Sequence, residues 1–270
     1  MRVTGTVIVV TGGGSGIGRE LVLETVARGA RVAAVDIRKP ALAEMVTLAG
    51  EAAERISTHV ADVTDVPAVE ALPSAVLEAH GQVDAIINCA GIIQPFVRFA
   101  DLEYETMRRV MDVNFWGPAY VTKAFLPHLL ERSAAHIVNV SSMGAFVPVP
   151  GQTLYGASKA ALSLLTEGLA AELFDTNVSV TLVYPGATET GIAENSGVRP
   201  PIDAVSQDGR RSVPTTPARV AARTIIDAME RDAYRVMVGK DARVMDVFSR
   251  LSPERAARAI QKRMKDLLPG

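Results

Sequence analysis

The feature that most constrains this chain lies near its start, where Thr6-Val-Ile-Val-Val-Thr11 runs straight into Gly12-Gly13-Gly14-Ser15-Gly16-Ile17-Gly18. The first run is short, apolar between its threonines and rich in β-branched residues, as a strand buried on both faces requires. Glycine in the turn lets the backbone reverse tightly and approach a ligand closely. A helix follows as far as Gly29, a residue suited to the position just past a helix end. Its N-terminus offers free amide groups and positive partial charge, a seat for a pyrophosphate. The spacing G-x-x-x-G-x-G differs from the G-x-G-x-x-G dinucleotide fingerprint. The strand–turn–helix setting, more than the glycines alone, therefore points to nucleotide binding.

The alternation recurs along the chain. Strand-like runs at residues 31–36, 56–61, 83–88, 136–141, 178–184 and 234–238 alternate with helical segments at 40–54, 66–80, 153–174 and 217–231. Residues 101–132 read as one long helical region interrupted near Gly117-Pro118. This order predicts an α/β, doubly wound Rossmann fold: a parallel seven-stranded sheet with helices on both faces, in a single domain spanning 1–270. Residues 189–217, rich in Gly, Pro, Ser and Thr, are expected to form a substrate lid. Residues 242–268 are expected to add a C-terminal helical extension with a break at Ser252-Pro253. Its second half carries Arg255, Arg258, Lys262, Arg263 and Lys265 against Glu254 and Asp266. Such a basic amphipathic helix suits a pocket cover or a subunit contact, with peripheral attachment to an anionic membrane as the other option.

Composition narrows the partners. A chain of 270 residues can bury a substantial core, and a formal net charge of -2 gives no support for a nucleic-acid partner. Cys89 is the only cysteine, so no intrachain disulfide can form and a reducing, cytoplasmic setting is expected. The opening residues read as a strand and not as a signal peptide, because glycines stand where the apolar run would have to continue. No apolar run is long enough to span a bilayer. The four histidines (His59, His80, His128, His136) are scattered without ligand spacing, so no metal site is expected.

Proton-transfer chemistry concentrates in the middle of the chain. Tyr155 and Lys159 are four apart and share a helix face, and Ser142 lies thirteen residues before the tyrosine at the end of the run from His136. A phenol of pKa about 10 is a poor acid or base at neutral pH, and an ammonium one turn away favours the phenolate. A serine hydroxyl can hold a substrate oxygen beside the phenol. The same Tyr-x-x-x-Lys spacing is common in ordinary surface pairs. Asp36 ends the second strand eighteen residues after Gly18, where a carboxylate can accept both adenosine ribose hydroxyls.

Taken together, these stretches resemble the short-chain dehydrogenase/reductase family, in its shorter single-domain branch, over nearly the whole chain. The family's glycine turn appears at residues 11–18 and its Asp-Val pair at Asp62-Val63. Its Asn-Asn-Ala-Gly motif appears as Asn88-Cys89-Ala90-Gly91, with cysteine in place of the second asparagine. Asn114 matches the helix asparagine, Ser142, Tyr155 and Lys159 the proton-transfer set, and Pro185-Gly186 the motif after the sixth strand.

The resemblance implies an NAD(P)-dependent oxidoreductase that moves hydride between a nicotinamide cofactor and a hydrophobic secondary alcohol or ketone, lipid- or steroid-like. Tyr155 would be the general acid/base, Ser142 would bind the substrate oxygen, Lys159 would lower the Tyr155 pKa and hold the nicotinamide ribose, and Asn114 would anchor a water. Cofactor contacts are implied for Gly12, Gly14, Ser15, Gly16, Ile17, Gly18, Asp36, Ile37, Asp62, Val63, Asn88, Ala90, Gly91, Tyr155, Lys159, Pro185, Gly186, Thr188 and Thr190. NAD is expected over NADP because of Asp36. Arg38 is the opposing residue, and along an extended chain it need not converge with Asp36. The substrate would meet Ile92, Ile93, Pro95, Phe96, Met143, Ala145, Phe146, Val147 and Ile192, while Gln94 and Gln152 could add polar contacts. A homodimer or homotetramer is implied as well. The alternative function is a non-catalytic redox sensor that binds the dinucleotide, which would have no need of an intact Ser-Tyr-Lys set.

Overall fold

In the computed structural model, which describes residues 1–198 and 215–264, the first apolar run forms β1 (Val7–Thr11) with every residue buried. Its side chains alternate between two cores, as a strand's two-residue period dictates. Ile8 and Val10 pack with Leu21 and Val22 of α1 (Gly16–Ala27). Val7 and Val9 face the opposite way, into a core with Val76, Phe125 and Leu129. Burying one such Leu, Ile or Phe side chain is worth roughly 1.5–3 kcal/mol, so each face is an independent reason for this strand to lie in the middle.

The remaining elements follow in alternation. β2 (Arg31–Asp36), α2 (Lys39–Ala49), β3 (Ile56–Val60), α3 (Val66–His80) and β4 (Ala85–Asn88) make the first half. The helical stretch α4 (Tyr104–Met111) and α5 (Gly117–Leu130), β5 (Ala135–Val140), α6 (Thr153–Glu172) and β6 (Val178–Pro185) make the second. After the two-residue β7 (Thr188–Glu189), the short α7 (Ile192–Asn195) and the two-residue β8 (Thr216–Pro217) come α8 (Ala218–Glu230), β9 (Arg235–Val238), α9 (Lys240–Leu251) and α10 (Pro253–Arg263). The main sheet has seven strands in the order β3-β2-β1-β4-β5-β6-β9, and all its pairings are parallel. Helices cover both faces, as the alternation predicts.

Local differences from the expected elements have identifiable causes. α2 stops at Ala49, because Gly50 takes φ 56, and a tighter helical turn, Gly50–Arg55, completes the connection. The long region after residue 101 is helical from Tyr104 to Leu130. Its interruption is a wide π turn, Asp112–Trp116, immediately before Gly117. Gly117 sits where a side chain would press on Val63, 2.7 Å from the place a Cβ would occupy.

Most of the expected lid lies outside the described residues. Its ends are joined by β7 and β8, which pair Thr188 with Thr216. α9 and α10 meet at Ser252, where Pro253 opens the second helix, and positions 265–268 of the expected extension also lie outside the described residues. Among the described residues no helix is long and apolar enough to cross a membrane, and no three metal-binding side chains cluster. His59 and His80, distant in sequence, do meet at the Ser57 hydroxyl, at 2.8 and 2.7 Å.

Candidate active site

The chain leaves β1 toward one edge of the sheet and β4 toward the other, and such a reversal opens a crevice at the carboxyl ends of the strands. A cavity of about 310 Å³ occupies that crevice. The glycine turn forms its floor. Gly12 has φ 69, and a Cβ there would lie 2.9 Å from the Cα of Ala90. At Gly18 a Cβ would collide with the carbonyl oxygen of Gly12. A side chain at Gly12 would push the turn away from the segment after β4, and one at Gly18 would push the start of α1 away from the turn.

Residues from the ends of six of the sheet's strands, β1 to β6, then line the cavity. Ser15, Gly16 and Ile17 come from the turn, Asp36 and Ile37 from the end of β2, and Asp62 and Val63 from the segment after β3. Ala90 and Gly91 follow β4, Ser142 follows β5, Tyr155 and Lys159 sit on α6, and Pro185, Gly186, Thr188 and Thr190 complete the wall. Gly12 and Gly18 line it too. Three residues expected at the site stand behind it. The Gly14 amide donates to Asp36 Oδ2 at 3.0 Å. Asn88 is buried and donates to Thr122 Oγ1 and Asn139 Oδ1, tying β4 to α5 and β5. Asn114 is buried in the π turn, where it accepts from the Ile92 amide and donates to the Ile92 carbonyl, both at 2.9 Å.

The two carboxylate oxygens of Asp36 are already engaged, Oδ2 by Gly14 and Oδ1 by the Arg38 amide at 2.9 Å. That second bond turns the chain back as α2 begins. It brings the Arg38 guanidinium to 3.7 Å from Asp36 Oδ1, with further bonds to Ser15 Oγ at 2.8 Å and Asn195 Oδ1 at 2.6 Å. The expectation that Asp36 and Arg38 stay apart is therefore corrected: the backbone past β2 is a turn and not an extended strand.

At the other end of the cavity, Ser142 Oγ accepts from the Gly144 amide at 3.0 Å and lines the wall with Tyr155. Ser141 faces away, its hydroxyl donating to the Lys159 carbonyl at 2.8 Å. Burial raises the Tyr155 pKa above its ordinary value, the nearby Ser142 hydroxyl opposes that rise, and the Cys89 thiol adds to it. Lys159 lines the same cavity one helical turn from Tyr155. Its ammonium donates to the Val140 carbonyl at 3.0 Å, and burial pushes its own pKa down to about 8. Burial also pushes the Cys89 thiol up to about 12, so it stays protonated.

Of the nine apolar residues expected around a substrate, Ile92 and Ile192 line this cavity. Ala145 and Phe146 line a second one with Tyr184 and Arg235, whose guanidinium lies 4.5 Å from the Tyr184 ring centre. Val147 is core. Gln94 and Gln152 line neither cavity and instead hold the start of α6. Several lining residues lay outside the expected set, among them the polar Arg109 of α4 and Asn195 of α7. Neither belongs to a motif, and only the folded topology brings them to the crevice.

A glycine turn at the switch point of a parallel sheet, with serine, tyrosine and lysine gathered in the same crevice, defines an oxidoreductase of the Rossmann type. The sequence profile of the short chain dehydrogenases matches residues 6–199, and the chain belongs to the short-chain dehydrogenase/reductase family. It is 36% identical over 251 residues to SadH of Mycobacterium tuberculosis, provisionally named an oxidoreductase, covering 92% of this chain and 91% of that protein. Among solved structures, a short-chain dehydrogenase/reductase from Burkholderia phymatum in complex with NAD superposes with a TM-score of 0.81 at 27% identity, covering 93% of this chain and 96% of its own. A short-chain dehydrogenase from Burkholderia cenocepacia in complex with NADP gives 0.79 at 27% identity, with 98% and 99% covered.

Proposed function

We propose that this chain is an NAD-dependent short-chain alcohol dehydrogenase or ketone reductase acting on a hydrophobic secondary alcohol or ketone, with Tyr155 carrying the proton. The observation that carries the reading is that Ser142, Tyr155 and Lys159 line the same cavity as the glycine turn and Asp36. That cavity suits an extended dinucleotide. Gly12 and Gly18 leave room for close approach, the amides at the start of α1 suit a pyrophosphate, and Asp36 offers a carboxylate at the far end. The likeness to relatives that bind NAD and NADP supports a nicotinamide dinucleotide.

When bound, that cofactor supplies the hydride acceptor or donor. Everything else falls to the chain's own residues. Tyr155 Oη takes the alcohol proton or gives one to a ketone, and Ser142 Oγ steadies the same oxygen as its charge grows. Lys159, with a pKa near 8, can exchange a proton close to neutral pH and reach ribose hydroxyls. Asn114 supports the reaction from behind by fixing Ile92, at the mouth of the cavity. Ile92 and Ile192 favour an apolar substrate. A homodimer or homotetramer would cover Leu164 on α6 and Phe174 just beyond it, which are 71% and 85% exposed.

The test is a panel of secondary alcohols, from 2-propanol through 1-phenylethanol to steroid-sized compounds, incubated with NAD and followed by NADH absorbance. Turnover that improves with apolar size is expected. Dinucleotide binding without turnover of any member, or of the matching ketones with NADH, would favour the redox-sensor alternative.

A further inference from the structure

Gln94 is fully buried, yet its side chain points neither at a cavity nor at solvent. Its Oε1 accepts the amide N–H of Leu154 at 2.7 Å and that of Tyr155 at 3.1 Å, reaching across 60 and 61 positions of sequence. Both amides belong to the first turn of α6, where a helix has no internal acceptors for them. Gln152, at the head of that helix, gives them no side-chain cap. Its Nε2 donates instead to the Gln94 carbonyl at 2.7 Å, so the loop after β4 and the head of α6 are joined in both directions. Two N–H donors also decide which end of the Gln94 amide is the oxygen.

The other backbone group of Tyr155 is held as well. Ser158 Oγ donates to the Tyr155 carbonyl at 2.7 Å and accepts from Asn114 Nδ2 at 3.1 Å. Asn114 binds both backbone groups of Ile92, two residues before Gln94. A ring of hydrogen bonds therefore runs from the Tyr155 amide through Gln94, Ile92, Asn114 and Ser158 to the Tyr155 carbonyl.

We propose that Gln94 is a positioning residue for Tyr155, capping its helix from a separate loop and holding the phenol in place beside Ser142. The proposal rests on the reading of Tyr155 as the proton carrier. It also accounts for a neutral amide here. A glutamate could accept the same two amides and would be favoured at a helix N-terminus, but its charge would disfavour the phenolate. The ionisable groups lining the cavity with Tyr155 here are the Cys89 thiol beyond β4 and the Lys159 ammonium on α6, with the neutral Ser142 hydroxyl beside them.

Two variants separate the acceptor from the charge: Gln94→Leu removes the acceptor without adding charge, and Gln94→Glu keeps the acceptor and adds charge. Tyr155 ionisation is read without substrate, as the tyrosinate absorbance in an alkaline titration that Tyr155→Phe abolishes. Turnover is read with 1-phenylethanol and NAD, and cofactor affinity by NADH fluorescence. Gln94→Leu should lower kcat about 10- to 100-fold, the scale of a small misplacement of a reacting group, with NADH affinity held within about twofold. Gln94→Glu should retain more of kcat than Gln94→Leu and move the Tyr155 titration about one pH unit alkaline. Wild-type kcat in Gln94→Leu, or an unmoved titration in Gln94→Glu, overturns the proposal, even if urea midpoints fall as for a merely structural cap. Where Gln94→Leu does not fold or 1-phenylethanol is not turned over, the titration of Gln94→Glu decides alone. Full turnover in Tyr155→Phe would instead sink the reading of Tyr155 itself, and the two failures are distinguishable.

Discussion

Asp36 and Arg38 set opposite charges at one end of the cavity, and on the proposed function cofactor choice depends on which of them dominates. Two unit charges 4 Å apart repel by about 4 kcal/mol at an effective dielectric of 20, so Asp36 alone would strongly disfavour the 2′-phosphate of NADP. The Arg38 guanidinium, 3.7 Å from the same carboxylate, cancels part of that field. Arg38 is also 41% exposed and bound to Ser15 and Asn195, whereas Asp36 is 6% exposed, so the carboxylate retains the advantage. A preference for NAD of about tenfold in kcat/KM is predicted, corresponding to roughly 1.4 kcal/mol. Arg38→Ala should widen it and Asp36→Ala should narrow or reverse it. The comparison is kcat/KM with both cofactors for the three proteins, and an Arg38→Ala variant that gains preference for NADP would contradict the assignment.

Among the elements, the π turn between α4 and α5 shows most plainly what sequence reading reaches. Gly117-Pro118 marked an interruption and Asn114 stood out by resemblance, but a π turn has no compositional signature of its own. It became visible only with Asn114 seen bound to Ile92 and Ser158. The strands were legible because each is short and carries β-branched residues, and the central ones are buried on both faces, whereas the edge strands β3 and β9 are only partly buried. The glycine turn was legible because its spacing is a backbone requirement. Arg109, Asn195 and the capping role of Gln94 were not, because each depends on contacts between segments far apart in sequence. The bond from Lys159 to the Val140 carbonyl was not legible for a similar reason: spacing puts the lysine one turn from Tyr155, but Val140 lies on β5. Asn114→Ala tests the π turn. It strands both backbone groups of Ile92, each worth about 1–3 kcal/mol when buried and unpaired. Urea unfolding should therefore show a loss of roughly 2–4 kcal/mol, and a loss under about 0.5 kcal/mol would contradict the role given to that ring of bonds.

At the scale of the molecule, the sheet divides the work. β1 to β3 and their loops bring the glycine turn, Asp36 and Asp62 to one end of the crevice, while β4 to β6 bring Ser142 and, through α6, Tyr155 and Lys159 to the other. The division makes binding and proton transfer separable by mutation. It also gives pH a direction. Burial holds the Tyr155 phenol protonated to higher pH than an exposed tyrosine, so alcohol oxidation, which needs a proton acceptor, should speed up as pH rises toward that range. Ketone reduction, which needs the donor, should slow over the same interval. The most direct measurement of the central claim is Tyr155→Phe, which keeps the ring in its place and removes only the hydroxyl. NADH binding should remain within about twofold of wild type while kcat for the best alcohol of the panel falls about 100-fold or more, the scale of general acid–base catalysis. A purified Tyr155→Phe protein with near wild-type kcat would show that the proton travels by another residue.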